Sequence, residues 1–172
     1  MSHQDTDGDT LGGPRAVLEQ IGDRPLYLGN QCAVGADGVT HDMTETFAEE
    51  SVPVFSVNKR EQPLTTHHHP LHDGPGNDPV AFDTAMDTAR DLYRAVREGD
   101  RPAPMLVNCA AGISRSSTTI AVVLAAAEGV SFGAAVQEVK CSRPRARPHP
   151  ALVELAESYL EDIPDVPPQP QR

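Results

Sequence analysis

Two hydrophobic periods alternate along the chain: short apolar runs, and longer segments in which apolar residues return every three or four positions. Residues 25–28 read as a strand stopped by Gly29-Asn30. Residues 52–57 alternate apolar and small side chains and read as a second strand, and residues 105–107 as a short buried third. Helical segments lie between and after them. Residues 39–50 fit one helix. Asp78-Pro79 supplies an N-cap and a proline at the first helical position. The helix it opens runs to about Glu98, with Phe82, Ala85, Ala89, Leu92, Tyr93 and Val96 on one face, and Gly99 ends it. A further helix covers residues 116–128, and Ser131 caps another that runs to about Val139. The last covers 151–161 with Leu152, Leu155 and Leu160 as its apolar face. Residues 64–72 read as extended and irregular. Without internal repeats, this alternation predicts an α/β domain: a central, mostly parallel sheet of four or five strands with helices on both faces.

The length, 172 residues, suits one such domain over 15–163. Residues 1–14, rich in Gly, Asp and Thr, are expected to be disordered, and 164–172 to form a Pro-rich tail. Asp5-Thr6-Asp7-Gly8-Asp9 has the look of a calcium loop, but Thr10 stands where glycine is required and no acidic residue closes it. Acidic residues outnumber basic ones 25 to 14, for a net charge of −11. Such a field disfavours nucleic acid and anionic membrane as partners. Lys59 and Lys140 are the only lysines, which fits a GC-rich genome or adaptation to high salt. Cys32, Cys109 and Cys141 are odd in number and widely spaced, against a disulfide scaffold or zinc ribbon and in favour of a reducing, cytoplasmic setting. No signal peptide is visible, and the longest mostly apolar stretch, 120–127, is too short to span a bilayer.

The candidate chemistry sits where the buried strand hands over to a helix, at Cys109-Ala110-Ala111-Gly112-Ile113-Ser114-Arg115-Ser116. A loop curling into a helix N-terminus turns successive N–H groups toward one point and makes an anion nest. Ala110, Ala111 and Gly112 are small enough for close approach of an oxyanion, with Ile113 and Ser114 completing the cradle, and Gly112 can take positive φ. Cys109 lies at the focus, where the amides and the helix dipole favour thiolate over thiol. Arg115 offers a planar fork to two phosphate oxygens, and Ser116 is placed to donate a hydrogen bond to the sulfur as it leaves. An arginine at a helix N-terminus opposes the dipole unless an anion sits there. A buried structural cysteine would need neither the glycine nor the arginine. The implied reaction is a double displacement at phosphorus through a phosphocysteine, without metal or other cofactor, since amides and guanidinium carry the charge stabilisation.

This loop resembles the signature of dual-specificity protein phosphatases in the cysteine-dependent protein tyrosine phosphatase superfamily. Pro25-Leu26-Tyr27-Leu28-Gly29-Asn30 is similar to that family's opening strand, and 131–144, ending in Arg143-Pro144, to its penultimate helix and Arg-Pro corner. The resemblance covers roughly residues 24–162. It implies the phosphotyrosine phosphatase-like fold and hydrolysis of phosphotyrosine, and by extension phosphoserine and phosphothreonine, on protein substrates. One departure is Asn108, where the family has histidine before the nucleophile; its amide can donate and accept in bracing the loop. The family also implies an aspartate acid on a loop before the long helix. Asp73 and Asp78 are the candidates; Asp78 is better explained as a cap, and the spacing of Asp73 to Phe82 looks like the family's.

Other residues carry weaker readings. His67, His68, His69 and His72 form a cluster, but neighbours in extended chain point to opposite sides, so a rim role fits better than a metal site. Lys140, Arg143, Arg145 and Arg147 are either a solvated corner or a rim attracting anionic substrates. Cys32 and Cys141 are packing residues, or resolving thiols for an oxidised Cys109. Two rivals stand beside protein dephosphorylation: the same chemistry on a phosphoinositide or RNA 5′ phosphate, and a noncatalytic phospho-binding module.

Overall fold

The structure, a computed structural model, describes residues 15–35, 52–101 and 104–164. The helix expected over 39–50, the calcium-like run and most of the Pro-rich tail lie outside the described residues. Five strands, β1 (Leu18–Gln20), β2 (Leu26–Gly29), β3 (Val54–Ser56), β4 (His67–His68) and β5 (Met105–Asn108), form one sheet in the order β1-β2-β5-β3-β4. The β2–β5, β5–β3 and β3–β4 pairings are parallel, and β1 adds antiparallel at one edge. The expectation of a mostly parallel sheet holds. β1 and β4 are additional to the strands legible in the sequence, β4 lying within the stretch read as irregular.

Four helices follow the sheet's own logic: α1 (Pro79–Arg97), α2 (Arg115–Glu128), α3 (Phe132–Ser142) and α4 (Pro150–Asp162). β5 is buried along its whole length, as a central parallel strand must be. Its alternate side chains divide the core. Met105 and Val107, with Leu26, Leu28, Phe55 and Val57, meet the four helices. Leu106, with Val54, meets Ala33 and Val34 of a short 3-10 helix, Gln31–Val34, on the other face. On α1 the anticipated face is buried, with Met86 added. Glu98 caps its C-terminus and Gly99 continues at φ 82°.

α2 is buried from Ser116 through Ala126 and packs against α1, α3, α4, β2 and β5. A helix covered all round is a central core element, so the loop leading into it is anchored at both ends by buried structure. On α4, Leu152 is buried as expected; Ala156 and Tyr159 complete that face, while Leu155 and Leu160 are only partly covered. The Tyr159 hydroxyl donates to Asp87 Oδ1 at 2.6 Å and accepts from Arg90 at 3.1 Å, tying α4 to α1. Among the described residues, no single helix is long and apolar enough to cross a membrane.

Candidate active site

Gly29, Asn108 and Ser56 align across β2, β5 and β3, at the carboxyl ends of three parallel strands. Open α/β sheets bind ligands at this edge. The chain leaves it through Cys109 and re-enters the core as α2.

Cys109 is buried, 2% exposed, at the base of the loop. Its Sγ lies 3.1 Å from Ser116 Oγ, the contact expected from the sequence. Gly112 adopts φ 68°, and a Cβ there would come within 3.1 Å of Leu28 Cδ2 and 3.2 Å of the Gly29 carbonyl oxygen. Only glycine meets both demands.

The outer side of the loop is held by hydrogen bonds from three other segments. Gln31 N–H donates to the Ala110 carbonyl at 3.0 Å. The Arg143 guanidinium donates to the Ala111 carbonyl at 3.2 Å and the Gly112 carbonyl at 3.0 Å. Arg147 N–H donates to the Ile113 carbonyl at 2.8 Å. Four consecutive carbonyls are thereby turned outward. Because each peptide unit is planar and trans, the amides of residues 111–114 face the opposite way, toward the loop's interior. The Ser114 hydroxyl, at the N-cap position of α2, does not cap it; it accepts from His149 N–H at 2.9 Å. The helix start is left open to an anion.

Arg115, half-buried at the first position of α2, donates to the Leu71 carbonyl at 3.2 Å. That contact joins the phosphate-binding candidate to the segment carrying Asp73. Asp73 is exposed and lies in a turn clasped by Asn77, whose side chain accepts from His72 N–H and donates to the carbonyls of His72 and Gly74. Asp78 accepts from Val80 N–H at 3.3 Å as the N-cap of α1. Asn108 Nδ2 makes only a long contact, 3.4 Å, with the Cys109 carbonyl, and its buried Oδ1 has no partner among the described residues. Asn108 thus braces the loop weakly.

The four histidines separate. His67 contacts Thr66 Oγ1, His68 Nε2 contacts the Asn58 carbonyl oxygen, and His69 stacks on Phe55 with ring centroids 5.2 Å apart. Burial holds His67 and His69 below the usual imidazole range; Arg101 adds to the effect at His67, and the neighbouring histidines at His69. The three cysteines are unbridged: Cys32 half-buried, Cys109 buried and Cys141 exposed.

Gln31, Leu71, Asn77 and His149 are site residues that the sequence reading missed. His149 carried a signal, because His149-Pro150 repeats the cap-then-proline pattern of Asp78-Pro79. It caps α4 through Nδ1, which accepts from Ala151 N–H at 3.0 Å, while its own N–H serves Ser114. His149→Ala should therefore lower stability by about 1 kcal/mol, as cap removals do, and His149→Asn should retain most of it. Urea melts of the two variants measure this; equal stability of His149→Ala and the parent would refute the capping role.

Comparison with known proteins follows the same lines. The protein-tyrosine phosphatase family model matches residues 30–151. Human dual specificity phosphatase 28 is 30% identical over 144 residues, covering 80% of this chain and 75% of the human one. A mouse putative dual specificity phosphatase, solved in complex with zinc tungstate, superposes with a TM-score of 0.65 at 27% identity, covering 88% of this chain and 92% of that one. Human DUSP28 gives a TM-score of 0.65 at 27% identity, with 84% and 93% covered. Sheet, loop and relatives together define a cysteine-dependent phosphatase. The chain belongs to the protein-tyrosine phosphatase family, in its dual-specificity branch.

Proposed function

We propose that the protein hydrolyses phosphotyrosine, and with it phosphoserine and phosphothreonine, on protein substrates through a phosphocysteine intermediate. The observation that carries this reading is the outward anchoring of the carbonyls of residues 110–113, which turns the intervening amides toward one side of the loop. An oxyanion there is held by fixed dipoles that need no reorganisation during reaction. The tungstate in the mouse relative is an oxyanion of phosphate-like shape.

In the first step the thiolate of Cys109 forms a bond to phosphorus as the ester P–O bond breaks. Asp73 gives its proton to the leaving oxygen. In the second step water attacks phosphorus, the S–P bond breaks, and Asp73 takes the water's proton. Ser116 Oγ donates to the sulfur as it leaves, stabilising the regenerated anion. Arg115 spans two equatorial oxygens throughout. The assignment of Asp73 rests on the cap already made by Asp78 and on the Arg115–Leu71 link, which brings the acid's loop to the loop of Cys109.

The test is hydrolysis of an aryl phosphate in chelator, then phosphate release from peptides carrying phosphotyrosine, phosphoserine or phosphothreonine. Metal-dependent turnover would overturn the mechanism. Asp73→Asn should lower kcat by about 100- to 10,000-fold, the usual worth of a positioned acid. Asp78→Asn should change little, since asparagine caps a helix as well as aspartate. The reverse pattern would move the acid to Asp78.

A further inference from the structure

We propose that the catalytic mouth selects phosphopeptides with acidic residues on both sides of the phosphorylated side chain. Lys59 and Arg60 would read one flank, and Arg145 and Arg147 the other. This deepens the phosphatase reading and rests on it.

The observation is the placement of the chain's scarce cations. The protein carries a net charge of −11, so its general field repels an acidic peptide. Against that background, two basic pairs border opposite ends of the anchored loop. On the Ala110 side, Gln31 holds the loop carbonyl and its Oε1 accepts from Asn58 Nδ2 at 3.4 Å. Asn58 Oδ1 in turn accepts from Lys59 N–H at 2.9 Å, fixing where the exposed Lys59-Arg60 turn leaves β3. On the Ile113 side, Arg147 N–H is bonded directly to the loop. Its side chain is exposed, as is that of Arg145.

These four cations differ from the others around the site. Arg143 is spent on the loop carbonyls and Arg115 reaches Leu71. The ion pairs among the described residues involve Arg24 and Arg94, away from the mouth. Glu61 directly follows Lys59-Arg60, and Asp73, in the separate loop between β4 and α1, is assigned to proton transfer. A bound phosphopeptide places its phosphoryl group between the two pairs, so residues immediately before and after it pass one pair each. Glutamate or aspartate there gains from the local cations what it loses to the global field. Lysine there is penalised by the nearby cations.

The experiment compares phosphotyrosine peptides of one length whose flanks are glutamate, alanine or lysine, with an aryl phosphate as flank-free reference. kcat/KM should rank glutamate above alanine above lysine, with on the order of tenfold between the extremes. The spread should shrink as salt rises. Arg145→Glu/Arg147→Glu and Lys59→Glu/Arg60→Glu should each lower kcat/KM for the glutamate peptide relative to the aryl phosphate, mainly through KM. Arg145→Gln/Arg147→Gln guards against misfolding of the reversed variant and should act in the same direction. The same peptides titrated against Cys109→Ser by fluorescence anisotropy read the flanks without turnover. Equal kcat/KM or equal affinity for glutamate and alanine peptides would overturn the proposal. Failure to hydrolyse the aryl phosphate would instead overturn the phosphatase mechanism, and the binding series would still decide the flank preference.

Discussion

Cys109→Ser should reduce turnover of any phosphomonoester by at least about 10,000-fold while leaving the protein folded, because removing the proposed nucleophile removes the reaction path and leaves only binding. At 1.36 kcal/mol per decade, that is a loss of about 5 kcal/mol of transition-state stabilisation. The fold should survive for a local reason. Cys109 is buried, but its Sγ already faces a hydroxyl at 3.1 Å, so a serine Oγ finds a hydrogen-bond partner in Ser116. A satisfied buried hydroxyl costs about 1 kcal/mol or less. Oxyanion affinity should persist, since the amides of the loop and Arg115 are untouched. The combination of lost turnover and retained binding of vanadate or phosphopeptide is the signature sought. A Cys109→Ser protein retaining more than about 1% of parent activity would exclude covalent catalysis at this sulfur.

The part of this site legible in the sequence was the part written in one stretch. Cys109, Gly112, Arg115 and Ser116 fall within eight consecutive residues, and the structure they need is local: a strand ends, a glycine turns, a helix begins. α1 was equally plain, because Asp78-Pro79 and Gly99 mark its ends and its apolar period is strong. What the sequence did not announce was the scaffold behind the loop. Gln31, Arg143, Arg147 and Leu71 reach it from four places, through main-chain groups in all but one case. A backbone donor leaves no mark on residue type. Only Arg143 uses its side chain, and the sequence shows it as one cation in a basic run without showing what it touches.

The missed strands fail for a related reason. β4 is two histidines whose backbone pairs with β3, and β1 is an edge strand with polar residues at Glu19 and Gln20. Neither buries a periodic apolar face, so neither has a hydrophobic pattern to read. β4 nonetheless matters to the site. It starts the path through His69, Leu71 and Asp73, with backbone bonds from His69 to Ser56 and from Leu71 to Val57. Leu71, at the end of that backbone path, accepts from Arg115 and so ties the segment to the start of α2.

Arg115→Lys should lower kcat by about 1,000-fold, and Arg115→Ala by as much or more, on the scale of charge-stabilising groups in phosphoryl transfer. Lysine keeps the charge, so the size of its defect measures geometry. An ammonium cannot offer parallel donors to two oxygens, nor easily reach the Leu71 carbonyl that the guanidinium holds at 3.2 Å. The helix dipole disfavours either cation at this position when no anion is bound, so the substitution should cost little stability. Free guanidinium ion should restore part of the activity of Arg115→Ala and none of that of Cys109→Ser. The Leu71 contact also ties Arg115 to the segment carrying Asp73, the proposed acid. Losing it loosens the segment that presents Asp73, so the Arg115→Lys/Asp73→Asn double variant should fall less than the product of the single defects. A strictly multiplicative double variant would mean that the two groups act independently and that the 3.2 Å link is incidental to catalysis.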